Sequence, residues 1–171
     1  MARLFFALWP DDVTRLKLNE IGQQFKNEKV RLTKPGNLHI TLEFLGEVSS
    51  EVQQELIEKA ARINCEPFYI ELTRISWWRK PAILWIGMNN VSKPLSDLVN
   101  SIKKCVKQQG LKTDQRPYKS HVTIARKVKQ VIIQKETVHI SLHVNSFALV
   151  VSKSTDTGVE YHVIQEWFLR N

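Results

Sequence analysis

The feature that most constrains the fold is a short motif that occurs twice, "HITL" at residues 39–42 and "HVTI" at residues 121–124. Each copy has the form histidine–apolar–threonine–apolar, and each lies in a strand-like stretch. Because side chains alternate along a strand, the histidine and threonine of each copy share one face, while the apolar residues face the core. Two copies about half a chain apart predict a duplicated arrangement in which the two motif strands face one cleft.

The rest of the 171-residue chain alternates between helical and strand patterns without a strict strand–helix–strand repeat. This order predicts an α+β fold built as a two-lobed, pseudo-symmetric duplication, with mostly antiparallel sheets, helices on the outer faces and a central cleft. Residues 1–171 are expected to form a single domain made of two lobes. The predicted helices span residues 11–25, 49–63 and 92–110, and the predicted strands span residues 3–8, 38–46, 68–78, 82–88, 120–126, 139–154 and 160–169.

Charge and cysteine content narrow the class of protein. The formal net charge of +8 favours a polyanionic partner, with nucleic acid first, and the scattered positive charges favour a concave basic site over a basic tail. Cys65 and Cys105 have no spacing typical of a zinc site or a disulfide framework, so a reducing, cytoplasmic location is expected. The apolar run at residues 3–8 is too short for a secretion signal, and no run approaches the about 20 residues of a transmembrane helix.

Two imidazoles and two hydroxyls around one pocket are suited to phosphoryl transfer. A neutral histidine can take a proton from water while a protonated one gives a proton to the leaving oxygen, and hydroxyls can donate hydrogen bonds to phosphate oxygens. No metal or cofactor is expected, because no carboxylate cluster stands out in the sequence. The alternative is that both histidine–threonine pairs are core polar groups bonded to the backbone, which is the better explanation for one copy but not for two.

Longer stretches carry a resemblance to a known family. They are "RLFFAL" at residues 3–8, "NLHITLEFLG" at residues 37–46, "ILWIGM" at residues 83–88, "HVTIAR" at residues 121–126, and the spaced set Ser152, Gly158, Tyr161 and Trp167. Together they resemble the 2H phosphoesterases, and specifically the bacterial and archaeal RNA 2′,3′-cyclic phosphodiesterases, historically called 2′-5′ RNA ligases. The resemblance runs nearly from end to end.

This resemblance implies a reaction and a role for each motif residue. Such enzymes open a 2′,3′-cyclic phosphate at an RNA end and leave a 2′-phosphate. By the motif, His39 is expected to give a proton to the departing O3′ and His121 to activate water. Thr41 and Thr123 are expected to hold the phosphate. The substrate would be an RNA end or a nucleotide bearing a 2′,3′-cyclic phosphate, handled by a monomer that is not bound to a membrane.

The resemblance also points to residues outside the motifs. Arg126 matches the arginine that follows the second motif in the family and lines the nucleotide site. An aromatic side chain on the first strand is expected to stack on the terminal base, with Phe6 preferred over Phe5. One departure is Ser120, which stands where the family often has proline, and it predicts a looser entry into the second motif strand.

Two other functions remain open from the sequence. A 2′-5′ RNA ligase would use the same site with a 5′-hydroxyl in place of water, although water at about 55 M competes strongly with a dilute hydroxyl. A non-catalytic module that binds RNA ends would keep the fold, but it would not need paired titratable groups.

Several further residues are of types that catalyse reactions or bind phosphate, but they are not expected to have a central role in the site. "HISL" at residues 139–142 looks like a third motif, with Ser141 in place of threonine, and is predicted not to be catalytic. Trp77 and Trp78 are predicted to pack in the core or at its rim. Three cations near the motifs are candidate phosphate contacts: Lys34, Arg116 and Lys119.

Overall fold

The structure is a computed structural model that describes residues 1–130, 138–156 and 158–170. Within these ranges it has three helices and ten strands. The helices are α1 (Asp12–Gln23), α2 (Ser50–Ala60) and α3 (Lys93–Lys107), and a 3-10 turn spans Pro35–Asn37. The strands are β1 (Ala2–Leu8), β2 (Arg31–Leu32), β3 (Ile40–Val48), β4 (Phe68–Leu72), β5 (Arg74–Trp78), β6 (Ile83–Gly87), β7 (His121–Arg126), β8 (Ile140–Val144), β9 (Ser146–Thr155) and β10 (Gly158–Phe168).

Most strands form one large sheet in the order β10-β9-β1-β3-β7-β6-β5, with β2 added alongside β7. Strands β4 and β8 form a separate two-stranded sheet. Every strand pairing among the described residues is antiparallel. The predicted α+β class with mostly antiparallel sheets is therefore confirmed.

The main core lies between one face of the large sheet and the three helices. Strand β1 contributes Leu4, Phe6 and Leu8 to this core, each at most 2% exposed. Helix α3 has a strongly amphipathic pattern and packs its apolar face there, because its buried residues recur at helical spacing: Leu95, Leu98, Val99, Ile102 and Val106. No described helix has the length and apolar character needed to cross a membrane.

The helix starts follow local capping chemistry. The carboxylate of Asp11 accepts a hydrogen bond from the backbone N–H of Thr14 at 2.7 Å, which caps α1. Ser49 caps α2 in the same way, through the N–H of Val52 at 3.4 Å. Pro94 lies in the first turn of α3, where its missing N–H is not needed.

The opposite face of the large sheet carries a small apolar cluster and the open cleft. Phe5, Ala7, Ala148 and Val150 form this cluster, and Tyr161 packs against it. Along β1, residues 5 and 7 therefore face the cleft while residues 4, 6 and 8 face the core, as strand alternation requires. The two faces of one strand thus serve the core and the cleft separately.

Two predicted strands are each divided in the structure. The run at residues 68–78 becomes β4 and β5, and the run at residues 139–154 becomes β8 and β9. In each case the first part pairs in the small sheet and the second part in the large one. The hydrophobic alternation shifts by one residue at each break, from residues 68, 70 and 72 to Ile75, and from residues 140, 142 and 144 to Phe147 and Leu149. The sequence pattern therefore contained a sign of the change of sheet, which the prediction of two continuous strands overlooked.

Candidate active site

The two motif strands meet at the centre of the large sheet. Strands β3 and β7 pair through a single register pair, Ile40 opposite Val122, and these are the middle residues of the two histidine–threonine motifs. Both side chains are fully buried in the core. In an antiparallel pair, this register places the histidine of each motif opposite the threonine of the other, on the face away from the core. The axis that relates the motifs passes through this central pair.

Each motif strand has a β-bulge immediately after its threonine. Against β1, Leu42 is the extra residue of β3, and against β6, Ile124 is the extra residue of β7. A bulge changes the face that the following residues occupy. As a result Phe44 and Arg126, each three residues after its threonine, line the cleft with the motif side chains. Strict alternation would have turned both toward the core.

A cleft of about 780 Å³ lies over this part of the sheet. Five of the six residues that the sequence singled out line it together: His39, Thr41, His121, Thr123 and Arg126. Tyr161 from β10 and Trp78 from β5 form part of its walls. The fold therefore brings the repeated motifs into one concave site, as their spacing predicted.

Both imidazoles are held by equivalent backbone hydrogen bonds. Nδ1 of His39 lies 2.6 Å from the carbonyl oxygen of Asn37, and Nδ1 of His121 lies 2.8 Å from that of Lys119. A carbonyl oxygen only accepts, so Nδ1 carries the proton in both rings and Nε2 is left for chemistry. Nε2 of His39 is 2.9 Å from the hydroxyl oxygen of Thr41, which donates to it when the ring is neutral.

Aromatic rings enclose His39 on three sides. The ring centroids of Phe5 and Tyr161 lie 4.9 Å and 5.1 Å from the imidazole, and Trp9 stacks on it at 5.8 Å. The guanidinium of Arg15 lies over the Trp9 ring, 4.6 Å from its centroid. This packing fixes the orientation of the imidazole and removes much of its water.

Burial has a direct electrostatic consequence for this residue. Desolvation is the main cause that lowers the pKa of His39 from 6.5 to about 4, because it penalises the charged ring. The hydrogen bond to Asn37 opposes this shift, while the positive charges of His121, Arg126 and Arg15 add to it. In the unliganded protein His39 is therefore neutral at neutral pH.

His121 lies in a different aromatic setting. The ring centroid of Trp78 is 4.7 Å from the imidazole and that of Trp85 is 6.0 Å away. Burial lowers the pKa of His121, the hydrogen bond to Lys119 opposes the shift, and the charge of Arg126 adds to it. An anion bound between the two rings would favour the charged form of each.

The expectation that Phe6 stacks on a base is wrong. Phe6 is fully buried on the core side of β1, 6.3 Å from the Phe147 ring and 6.0 Å from the Trp167 ring. Phe5 faces the cleft but is only 2% exposed beneath His39. The most exposed aromatic ring among the residues that line the cleft is that of Phe44, at 63%.

A signal for Phe44 was present in the sequence. It follows the first motif at the same distance as Arg126 follows the second, so the duplication itself pairs the two positions. Alternation along the strand concealed this, because it places a residue three positions after the threonine on the core face. The bulges restore the equivalence.

The segment that leads into the second motif is tied to the first. The hydroxyl of Tyr118 donates to the backbone carbonyl of Thr41 at 2.9 Å. Ser120 is 3% exposed, and a Cβ placed on Gly87 would come within 2.5 Å of its carbonyl oxygen. The sequence predicts a looser entry into the strand at Ser120, and the backbone at this position is closely packed against Gly87.

The other candidates occupy less central positions. His139 is 76% exposed and lies 3.6 Å from Glu71, and Ser141 is exposed on the small sheet. Trp77 donates from its indole N–H to the carbonyl of Val128 at 2.7 Å, which is a packing role. Arg116 and Lys119 line the cleft, and Lys34 lines an adjoining pocket.

Comparisons with known proteins agree with this geometry. Residues 8–85 match the family described as LigT like Phosphoesterase. The chain is 29% identical over 169 residues to the RNA 2′,3′-cyclic phosphodiesterase of Escherichia coli (strain K12), covering 98% of this chain and 96% of that protein. It is 33% identical over 128 residues to the RNA 2′,3′-cyclic phosphodiesterase of Archaeoglobus fulgidus, covering 72% of each. The structure of E. coli LigT complexed with 3′-AMP superposes with a TM-score of 0.92 at 27% identity, covering 99% of both chains.

Proposed function

The chain belongs to the LigT-like phosphoesterases, a 2H phosphoesterase family, and on this premise we propose that it hydrolyses RNA 2′,3′-cyclic phosphate ends to 2′-phosphates. The observation that carries the proposal is the register at the centre of the sheet, where Ile40 lies opposite Val122 and sets the two histidine–threonine pairs face to face. Several relatives across most of the chain bear the name of this activity.

The phosphate binds between the two imidazoles. Thr41 and Thr123 donate hydrogen bonds to its non-bridging oxygens, and Arg126 adds a positive charge beside them. The Thr41 hydroxyl points at Nε2 of His39 in the unliganded site, so it rotates toward the phosphate when that nitrogen becomes protonated. These groups are held on strands rather than loops, so they need little reorganisation when the substrate arrives.

Two proton transfers complete the reaction. Nε2 of His121 accepts a proton from water as the water oxygen attacks phosphorus. The bond from phosphorus to O3′ breaks, and O3′ takes the proton from Nε2 of His39. The products are a 2′-phosphomonoester and a free 3′-hydroxyl. His121 has gained one proton and His39 has lost one.

The proton on His39 is supplied in the complex rather than in the free protein. Burial and the positive charges of Arg126 and Arg15 keep this ring neutral before substrate binds. A phosphodiester anion placed beside it reverses the charge contribution and raises the pKa of His39. Substrate binding and protonation of His39 are therefore coupled in this mechanism.

The assignment of acid and base follows the family motif, in which the first histidine serves the leaving oxygen and the second serves water. The product reports which oxygen leaves. A 2′-phosphate means that the bond from phosphorus to O3′ breaks, as the mechanism requires, and a 3′-phosphate would mean that the bond to O2′ breaks.

The terminal base is placed on Phe44. This ring is exposed at the cleft edge, where Tyr161 and Arg126 also line the pocket. Stacking of a base on an aromatic ring contributes roughly 1–3 kcal/mol without strong preference among bases. Phe44 takes the role that the sequence assigned to Phe6.

Metal independence, a monomeric state and a cytoplasmic location complete the proposal. Among the described residues, no group of three or more His, Cys, Asp and Glu side chains is arranged to hold a metal ion. Cys65 and Cys105 are both free thiols, the form that a reducing compartment maintains. Sedimentation of the purified protein at several concentrations tests the monomer.

The decisive experiment is product analysis on a short RNA with a 2′,3′-cyclic phosphate end. In EDTA the expected product is a 2′-phosphate, and a need for added metal or a 3′-phosphate product would overturn the mechanism. A second reaction with a 5′-hydroxyl RNA added tests the ligase alternative. Joined product in excess of hydrolysed product would favour ligation, and binding without either product would favour a non-catalytic module.

A further inference from the structure

A second pocket of about 340 Å³ adjoins the candidate active site. The two share His39, Phe44, Thr123, Arg126 and Tyr161. From there the second pocket runs along the cleft face of β1, β9 and β10, with residues 31–37 as its other wall. It therefore begins at the reacting phosphate and leads away from it.

Its floor is a row of side chains across three strands. Arg3 on β1 lies opposite Ser152 on β9, which lies opposite Tyr161 on β10, and all three line the pocket. Arg3 faces the cleft because it alternates with Leu4 and shares the face of Phe5. The exposed guanidinium of Arg3 thus lies beyond the aromatic floor, on the side away from the main cleft.

The opposite wall carries a second arginine beside the active site. Arg31 on β2 lies directly opposite Arg126 on β7 in the strand register, so both side chains project on the same face. Like charges in directly opposed positions are unfavourable in an antiparallel pair. A polyanion lying along this wall would therefore meet two guanidinium groups on one face.

The wall itself is tied to β10. The amide of Asn37 donates to the carbonyl of Val159 at 2.7 Å and accepts from the N–H of Tyr161 at 3.1 Å. The guanidinium of Arg31 packs against Gly158, where any Cβ would collide with it. These contacts pre-organise the pocket, which lowers the entropy cost of binding a flexible chain.

The two pockets differ in their charge balance. In the main cleft, Lys103 lies 3.7 Å from Glu43 and Arg116 lies 2.6 Å from Asp114, so two of its cations are compensated by carboxylates in its own walls. The described residues that line the second pocket include four cations and neither Asp nor Glu: Arg3, Arg31, Lys34 and Arg126. Lys34 lies 3.5 Å from Glu160, which is outside this lining. The lining of the second pocket is therefore richer in basic than in acidic residues, which suits a phosphate chain.

We propose that the second pocket holds the RNA chain on the 5′ side of the cyclic nucleotide, with Arg3 and Arg31 contacting its phosphodiesters. This inference rests on the proposed function, because it takes the cyclic phosphate as bound between the histidines. A cyclic phosphate ends the chain, so every other phosphate of the substrate lies on its 5′ side and needs a path of positive charge leading away from the site. The protein accordingly prefers RNA ends over cyclic mononucleotides.

The test compares the hydrolysis of three substrates by the 171-residue chain. They are a cyclic mononucleotide, a trinucleotide with the same 2′,3′-cyclic end, and that trinucleotide with uncharged methylphosphonate linkages. The kcat/KM of the charged trinucleotide should exceed that of the mononucleotide by about two- to thirtyfold, the range that two partly exposed ion pairs supply. Methylphosphonate linkages should remove most of this gain. The advantage should also fall with salt, with a logarithmic slope of about 0.7 per phosphate contacted.

Variants locate the effect. Arg3→Gln and Arg31→Gln should each reduce the ratio of trinucleotide to mononucleotide kcat/KM. Arg62→Gln removes one charge at an exposed position outside both pockets and is the matched control. A wild-type ratio near one, an equal gain from the uncharged trinucleotide, or an equal fall in Arg62→Gln would overturn the inference while leaving hydrolysis itself intact. Failure to hydrolyse any of the three substrates would instead contradict the proposed function.

Discussion

The buried imidazole of His39 predicts a specific dependence of stability on pH. Its pKa is lowered to about 4 in the folded protein from an ordinary value of 6.5. Between about pH 4 and pH 6.5, the unfolded chain therefore binds a proton at this residue that the folded protein does not bind. The stability contributed by the neutral ring is fully present above pH 6.5 and is lost as the pH falls toward 4.

The magnitude follows from the same two values. Each pKa unit corresponds to about 1.36 kcal/mol, so a shift from 6.5 to about 4 amounts to about 3 kcal/mol when complete. Between pH 7.5 and pH 4.5, linkage gives a loss of roughly 2–3 kcal/mol in the free energy of unfolding from this residue alone. That is a large fraction of the stability of a typical domain.

The assay is urea unfolding of the wild type and of His39→Gln at both pH values, in buffers without phosphate or sulfate. Carboxylates and the other histidines titrate in both proteins, so the difference between their pH-dependent losses isolates His39. The wild type should lose roughly 2–3 kcal/mol more than His39→Gln. His139→Gln, the same change at a side chain that is 76% exposed, is the control and should behave like the wild type. Losses that agree within about 0.5 kcal/mol in wild type and His39→Gln would refute the electrostatic reasoning.

Three further outcomes are expected. His39→Ala and His121→Ala should each lower kcat/KM by roughly 10²- to 10⁴-fold, the usual contribution of a general acid or base, while His139→Ala should retain activity on the same substrate. Because burial lowers the pKa of both active-site histidines, the bell-shaped profile of kcat/KM should have its maximum on the acid side of pH 6.5, and a maximum above pH 7.5 would contradict this. Gly87→Ala should cost about 1–3 kcal/mol in urea unfolding, because its Cβ would press on a backbone carbonyl next to the second motif, whereas Gly36→Ala meets nothing within 4 Å and should not show that overpacking cost.

The sequence predicted the parts of the site that depend on local rules. Alternation placed each histidine beside its threonine, and repetition of the motif indicated that the two pairs meet. The register that joins them, Ile40 opposite Val122, is a long-range pairing that no local pattern specifies. It was inferred only in outline, from the expectation of two facing halves.

The errors arose where one residue breaks a local rule. Leu42 and Ile124 are ordinary apolar residues, and nothing in their identity marks them as bulged. Phe5 and Phe6 are identical in type, and only the pairing of β1 with β3 and β9 decides which ring faces the cleft. Tertiary pairing thus determined the orientation of aromatic groups that composition alone could not distinguish.

The paired bulges also bear on how the proposed reaction divides its roles between the two histidines. Two equivalent histidine–threonine units around a twofold axis would bind a cyclic nucleotide in two equivalent poses, and the histidines would exchange the roles of acid and base between those poses. The frame is symmetric, but the residues that it presents at equivalent places are not: Phe44 follows one motif and Arg126 follows the other. The nucleoside therefore binds in one orientation, with an aromatic surface on one side and a cation on the other. As a result, two chemically identical imidazoles take different catalytic roles.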